Sequence, residues 1–171
     1  MAIITWHSGN VPSHIEIKQV YGIIFTNDGR ILLRIEDGEY QLTGGKPEAF
    51  DKDMEETLKR ELMEEINISI SKAYIVGYQL VDEEDGTELY AQVRMTALLK
   101  SIGEQRPDPD NGLIYGRYLT TPLKATSLLG WGQVGENQIF EALEIAKKMF
   151  SLTCFSKENT VLDPEIKQKV H

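Results

Sequence analysis

The segment "GGKPEAFDKDMEETLKRELMEEINI", Gly44 to Ile68, constrains this chain more than any other stretch. From Asp53 to Ile66 it holds good helix formers with neither proline nor glycine. Asp51 or Asp53 is available as N-cap, and Asn67 tolerates a left-handed C-terminal conformation, so one helix of about four turns is expected. At about 100° per residue, Met54, Leu58, Leu62 and Ile66 form a continuous apolar stripe that must pack against a sheet. Asp53, Glu56 and Arg60 project to the opposite, solvated face. Glu61 does not: it projects beside Met54 at the edge of the stripe, and Glu65 lies a further turn along the same side.

Carboxylates at a core boundary are costly unless compensated, and Glu64 adds a third acid on an adjoining row. Two explanations stand. Either some of the three have raised pKa values and stay protonated, or a hard divalent cation neutralises them; Mg²⁺ suits oxygen-only ligands and bridges readily to substrate phosphates. Arg60 stands four residues before Glu64, within reach of a charge-assisted bond that would hold it.

The charge balance bears on the choice. A net charge of -9 over 171 residues argues against duplex DNA or RNA and against anionic membranes as partners, because both would be repelled. A polyphosphate substrate would need a cation as mediator, which a metal site provides. The single cysteine, Cys154, excludes an internal disulfide, and no thiol motif surrounds it. The N-terminus has no basic region followed by a long apolar run, and no later segment nears the roughly 18 apolar residues of a membrane helix. A soluble, cytoplasmic protein is the expectation.

Along the chain, Lys18 to Thr26 and Arg30 to Glu36 read as strands of a hairpin turned by "NDG", and Tyr40 to Thr43 as a short strand ending on Gly44 and Gly45. Ala73 to Glu83 and Glu88 to Lys100 form a second hairpin around "EDG". Glu104 to Gly112 is a loop, "LIYGRYLT" a strand, and Gly135 to Phe150 a helix spaced through Ile139, Leu143, Ala146 and Phe150. The order of strands, helix, strands, helix predicts one α+β unit over residues 1–171. Its core covers about 18–150, between an N-terminal extension, 1–17, and a C-terminal tail, 151–171.

The residues "RELMEEINI", Arg60 to Ile68, approached through "LTGGKPE", resemble the Nudix box of the Nudix hydrolases. That signature runs glycine, five residues, glutamate, seven residues, Arg-Glu-aliphatic, any residue, Glu-Glu, any residue, glycine, aliphatic. Two departures stand out. Counting from Gly45 puts Asp51 in the glutamate position, with eight rather than seven residues between it and Arg60, and Asn67 replaces the glycine at the helix end. The resemblance implies a Nudix-type α/β/α sandwich with a mixed sheet between helices. It implies Glu61, Glu64 and Glu65 as metal ligands, joined by the carbonyl of Gly45, with Arg60 orienting the acids and Arg60, Glu61 and Glu64 as the catalytic set. It implies Mg²⁺ or Mn²⁺ as cofactor and hydrolysis of a nucleoside diphosphate derivative, a small molecule, by attack of water on phosphorus. Nudix enzymes are frequently dimers, so a homodimer is the implied assembly.

Outside the box, Arg34, Lys46 and Arg94 are the candidate substrate-binding cations. Alternation in "ELYAQVRMTALL" places Tyr90, Gln92, Arg94 and Thr96 on one face, opposite Ala91, Val93, Met95 and Ala97. A solvated face explains Arg94 equally well, and edge-strand solubility does the same for Arg34. Asp108 and Asp110 lie where family members often supply a further ligand or base. Tyr90, Tyr115 and Trp131 are candidate stacking residues, while His7 and His14 have no partners at metal spacing. The alternative function is a catalytically weak Nudix-fold nucleotide-binding or regulatory module, which the lengthened loop favours. Isomerisation of a prenyl diphosphate is a third reading, and the position of Cys154 in the tail counts against it.

Overall fold

The computed structural model describes residues 1–163. In chain order the elements are β1 (Ile3–Ser8), β2 (Glu16–Phe25), β3 (Ile31–Glu36), β4 (Glu39–Gln41), β5 (Thr43–Gly45) and α1 (Met54–Ile66). There follow β6 (Ile68–Ile70), β7 (Tyr74–Asp82), β8 (Tyr90–Ile102), β9 (Gly116–Thr120), α2 (Pro122–Leu129), α3 (Gly132–Met149) and β10 (Thr160–Asp163). The strands form one mixed sheet ordered β1-β7-β8-β2-β3-β9-β10, with β4 added to β3, β5 to β2 and β6 to β8. The β2–β8 pair is parallel and its neighbours are antiparallel.

Strand alternation gives the sheet two apolar faces, and helices cover both. Ala91, Val93, Met95 and Ala97 of β8 pack with Val20, Ile24, Leu58, Leu62 and Ile66 on the α1 side. Ile23, Phe25, Ile31 and Leu33 pack with Ala125, Leu129, Ile139, Ala142 and Ala146 of α2 and α3 on the other. The α/β/α sandwich and the mixed sheet agree with the sequence reading. Leu58 and Leu62 are fully buried, each stabilising the helix against the sheet by about 1.5–3 kcal/mol.

The hairpin at "NDG" is present as a turn, in which Thr26 N–H donates to the Arg30 carbonyl at 2.8 Å. Its strands nevertheless separate at once: β2 and β3 pair only at Phe25 and Ile31. Further along, β2 takes β5 and β8, while β3 takes β4 and β9. The stretch expected as one strand, Tyr40 to Thr43, is therefore broken at Leu42 into β4 and β5, which serve the two diverging strands. This divergence opens a cleft in the middle of the sheet.

Other differences lie at the ends of the chain. Ile3–Ser8 of the expected extension is an edge strand on β7, and Thr160–Asp163 of the expected tail is one on β9. Both are short, and their partners lie far off in sequence, so local pattern carries little signal for them. Helix α2, from Pro122, was not expected; Thr121 caps it, accepting from Lys124 N–H at 3.2 Å. No helix among the described residues is long and apolar enough to cross a membrane.

Candidate active site

The acidic helix begins and ends as its sequence prescribes. Asp53 is the N-cap, its carboxylate accepting from Glu56 N–H at 2.9 Å, and Asn67 closes the helix at φ 48° and ψ 57°. Asn67 does more than tolerate that conformation. Its side-chain amide donates to the Glu104 carbonyl at 3.0 Å, and its backbone carbonyl accepts from Gly103 N–H at 2.8 Å. The residue that replaces the family's glycine thus docks the loop that follows β8.

Asp51 and Arg60 meet across the lengthened loop. Arg60 Nε donates to Asp51 Oδ1 at 3.0 Å and Nη2 to Oδ2 at 2.9 Å, a bidentate pair in which the Asp51 side chain is 2% exposed. Asp51 also accepts from Glu48 N–H and Thr57 Oγ1–H, each at 2.9 Å. The hydrogen bonds from Arg60 hold the Asp51 carboxyl far below the usual carboxylate range. The remaining Arg60 donors go to Glu61 Oε1 at 3.0 Å, Glu64 Oε2 at 3.2 Å and the Lys46 carbonyl at 3.0 Å. One guanidinium therefore fixes the approach loop and two of the three predicted ligands.

Glu61 is buried, in keeping with its projected position beside Met54 at the edge of the apolar stripe. Burial pushes its carboxyl up, Arg60 pulls it down, and Glu64 and Asp110 push it up again. Gly45 lies directly against it: a Cβ on Gly45 would stand 2.5 Å from the Glu61 carboxyl carbon. Glu65 points towards Arg34, whose Nη1 donates to its Oε2 at 2.6 Å. Burial nevertheless raises Glu65 to about 7, with Arg34 opposing and with Glu61 and Asp108 adding to the rise.

Among the described residues no three acids or histidines are grouped as a ready metal site, because Arg60 and Arg34 hold the carboxylates in ion pairs. The donor set still fits a hard divalent cation. Three carboxylates on one helix, two of them raised by burial and mutual repulsion, meet a glycine backbone left bare by the absence of a side chain.

The cleft forms a cavity of about 650 Å³ lined by Tyr21, Arg34, Gln41, Gln92, Arg94 and Trp131, among others. Arg34 is not on an edge strand, since β3 pairs with β4 on one side and β9 on the other. It bonds Gln41 through Nη2, stacks over the Tyr115 ring with 4.4 Å to the centroid, and leaves its buried Nε without a hydrogen bond. Arg94 is not on a solvated face: it is 4% exposed and looks towards α3, on the sheet face opposite α1. It lies over the rings of Tyr21 at 4.8 Å and Trp131 at 5.3 Å, and burial pushes it down to about 10. Lys46 lies apart from both, in a second cavity of about 430 Å³ with Lys18, Tyr90 and Gln92.

Asp108 is buried and serves its own loop, its Oδ1 accepting from Asp110 N–H at 2.9 Å. Trp131 lines the cavity; Tyr115 underlies Arg34; Tyr90 donates its hydroxyl to Glu83 at 2.5 Å. His7 stacks on Tyr78, 5.2 Å between centroids. Sequence reasoning missed Tyr21, hidden in an apolar run, and Gln138, which is fully buried and accepts from Arg94 Nε at 3.0 Å. The signal for Gln138 was available: it is a polar residue in the inward row of α3, four before Ala142.

A family model described as NUDIX domain matches residues 17–119. No curated protein matches the chain. Among solved structures, the pyrophosphohydrolase BsRppH of Bacillus subtilis is similar at 22% identity and TM-score 0.51, covering 60% of this chain and 63% of that protein, less than two thirds of its length. A NUDIX hydrolase of Listeria monocytogenes is similar at 19% identity and TM-score 0.57, over 78% of this chain and 96% of that one. A MutT protein of Bacillus halodurans is similar at 19% identity and TM-score 0.53, over 71% and 79%. At such identities these likenesses establish the shared fold.

Proposed function

The chain belongs to the Nudix family, and from that premise we propose that it is a divalent-metal-dependent Nudix pyrophosphohydrolase. Its substrate is a nucleoside diphosphate derivative, a small molecule, cleaved at the diphosphate by attack of water on phosphorus. Residues 1–171 act as one Nudix domain, in the cytoplasm and as a homodimer after the family's habit.

One observation carries the reading. The Glu65–Arg34 bond of 2.6 Å ties the acid cluster of α1 to the large cavity that Arg34 lines, so carboxylates suited to a metal are one ion pair away from a pocket suited to a nucleotide. Glu61, Glu64, Glu65 and the Gly45 carbonyl would hold Mg²⁺ or Mn²⁺. Such a cation, when bound, would neutralise phosphate charge and lower the pKa of the attacking water. Arg60, fixed by Asp51, orients Glu61 and Glu64. Arg34 and Arg94 supply positive charge for the phosphates in the large cavity, and Lys46 adds charge from the second cavity, which shares Gln92 with it, in a chain whose net charge of -9 would otherwise repel them. The competing module reading drew on the lengthened loop, and with Asp51 seated on Arg60 that loop no longer favours it.

The test is release of phosphate or nucleotide from nucleoside triphosphates, dinucleoside polyphosphates, ADP-ribose, NADH and nucleotide sugars, with Mg²⁺ and with EDTA. Metal-dependent turnover that drops at least about 100-fold in Glu64→Gln and Glu65→Gln, both still folded, is expected. Full activity in both variants, or none on any substrate in the native chain, would overturn the proposal.

A further inference from the structure

The two arginines of the large cavity differ in one respect that matters for substrate. Arg34 is committed to Glu65 at 2.6 Å. Arg94 is buried at 4% exposure and forms no ion pair among the described residues. Its Nε donates to the neutral amide of Gln138, its Nη1 reaches the Gln92 carbonyl at 3.4 Å, and its Cζ lies over the rings of Tyr21 and Trp131. Its Nη2 has no hydrogen bond among the described residues. The amide nitrogen of Gln138, fully buried beside it, has no partner there either.

A guanidinium removed from water is ordinarily paired with a carboxylate, because its desolvation is otherwise only partly compensated. Here the chain has an excess of acids yet places none on Arg94. With Nε on Gln138 and Nη1 on Gln92, Nη2 is the donor left open, and a guanidinium's planar fork of N–H donors matches the oxygens of a phosphate.

We infer that Arg94 receives a further phosphate of the substrate, one beyond the scissile linkage, so that the preferred substrates are nucleotide derivatives carrying that additional group. This rests on the cavity being the substrate pocket. Two sources share the chemistry: a phosphate on the ribose, or another phosphate of the chain.

Calorimetry on the full chain in EDTA separates them without turnover, comparing adenosine 2′,5′-bisphosphate with 5′-AMP, and the methylene analogue α,β-methylene-ATP with α,β-methylene-ADP. At least one is expected to bind tenfold or more tightly than its reference. A gain for the bisphosphate assigns a ribose phosphate; a gain for the methylene analogue assigns a chain phosphate. The gain should fall below threefold in Arg94→Gln and be only partly kept in Arg94→Lys, which retains the charge but not the fork. Gln138→Glu gives Arg94 an internal carboxylate and should abolish the gain with Arg94 itself unchanged, which keeps the test open if Arg94→Gln fails to fold. No gain for either ligand in the native chain, or a gain that survives both Arg94→Gln and Gln138→Glu, overturns the inference. An intact binding preference in a protein without hydrolytic activity would instead overturn the proposed function alone.

Discussion

Arg60 grips Asp51 by two parallel hydrogen bonds, Nε to Oδ1 at 3.0 Å and Nη2 to Oδ2 at 2.9 Å, although the loop between Gly45 and the helix is one residue longer than the family signature. Aspartate is one methylene shorter than the glutamate it replaces, and the pair still closes. Asp51→Asn leaves Arg60 without its principal charge partner. A loss of about 2–3 kcal/mol is expected, discounted from a fully buried pair because Arg60 keeps 15% exposure. Because the folded Asp51 carboxyl lies below its unfolded value, its stabilisation is present above the unfolded pKa, about 4, and is lost as pH falls through the folded value. Denaturant midpoints of native chain and variant should therefore converge as pH falls below 4. A constant gap would count against the pair as the cause.

The two glycines before the helix should fail in different ways. A Cβ on Gly45 would collide with the Glu61 carboxylate, whereas one on Gly44 would collide with the Val20 carbonyl of the paired strand. Gly45→Ala should lower kcat by about 100-fold with little change in melting temperature, because it displaces the Glu61 carboxylate proposed as a metal ligand. Gly44→Ala should cost at least about 2 kcal/mol, because backbone does not move aside. Thermal melts run beside rate measurements distinguish the two, and equal losses of stability would refute the distinction.

Glu65 gives a stability slope of the opposite sign. Burial raises its folded pKa to about 7, so its contribution is fully present below the unfolded value, about 4.3, and is lost as pH rises through 7. In EDTA, the native chain should lose stability between about pH 4 and pH 7, and Glu65→Gln should lack that part of the decline. Added Mg²⁺ should flatten the native slope if the cation neutralises the carboxylate. Parallel slopes in both proteins would exclude Glu65 as the source.

The end of α1 is secured from a distance. Arg117, 3% exposed, donates through Nη1 to the Ile66 and Gly103 carbonyls at 2.9 and 2.8 Å and pairs with Asp163 at 2.6 Å. Asp163→Ala leaves that guanidinium buried and unpaired, and about 3 kcal/mol of stability should go with it. Removing the chain from residue 160 onward should cost at least as much. Unchanged unfolding midpoints in both would show that β10 contributes nothing to the helix terminus.

The sequence by itself determined what depends on neighbours along the chain. The limits of α1, its caps at Asp53 and Asn67, and the burial of Glu61 at the Met54 edge of the apolar stripe follow from a period of 3.6 residues and the conformational tolerance of single residues. The family resemblance of the box is equally local. Only the tertiary structure decided that Asp51 reaches Arg60, that β2 and β3 diverge to open a cavity, that Arg34 meets Glu65, and that Arg94 faces α3 from a buried position without a carboxylate. Each of these joins residues through strand order and helix packing. Alternation along β8 gives the two faces of that strand, but which face is dry, and which charge is left unpaired there, depends on what the rest of the chain lays against it.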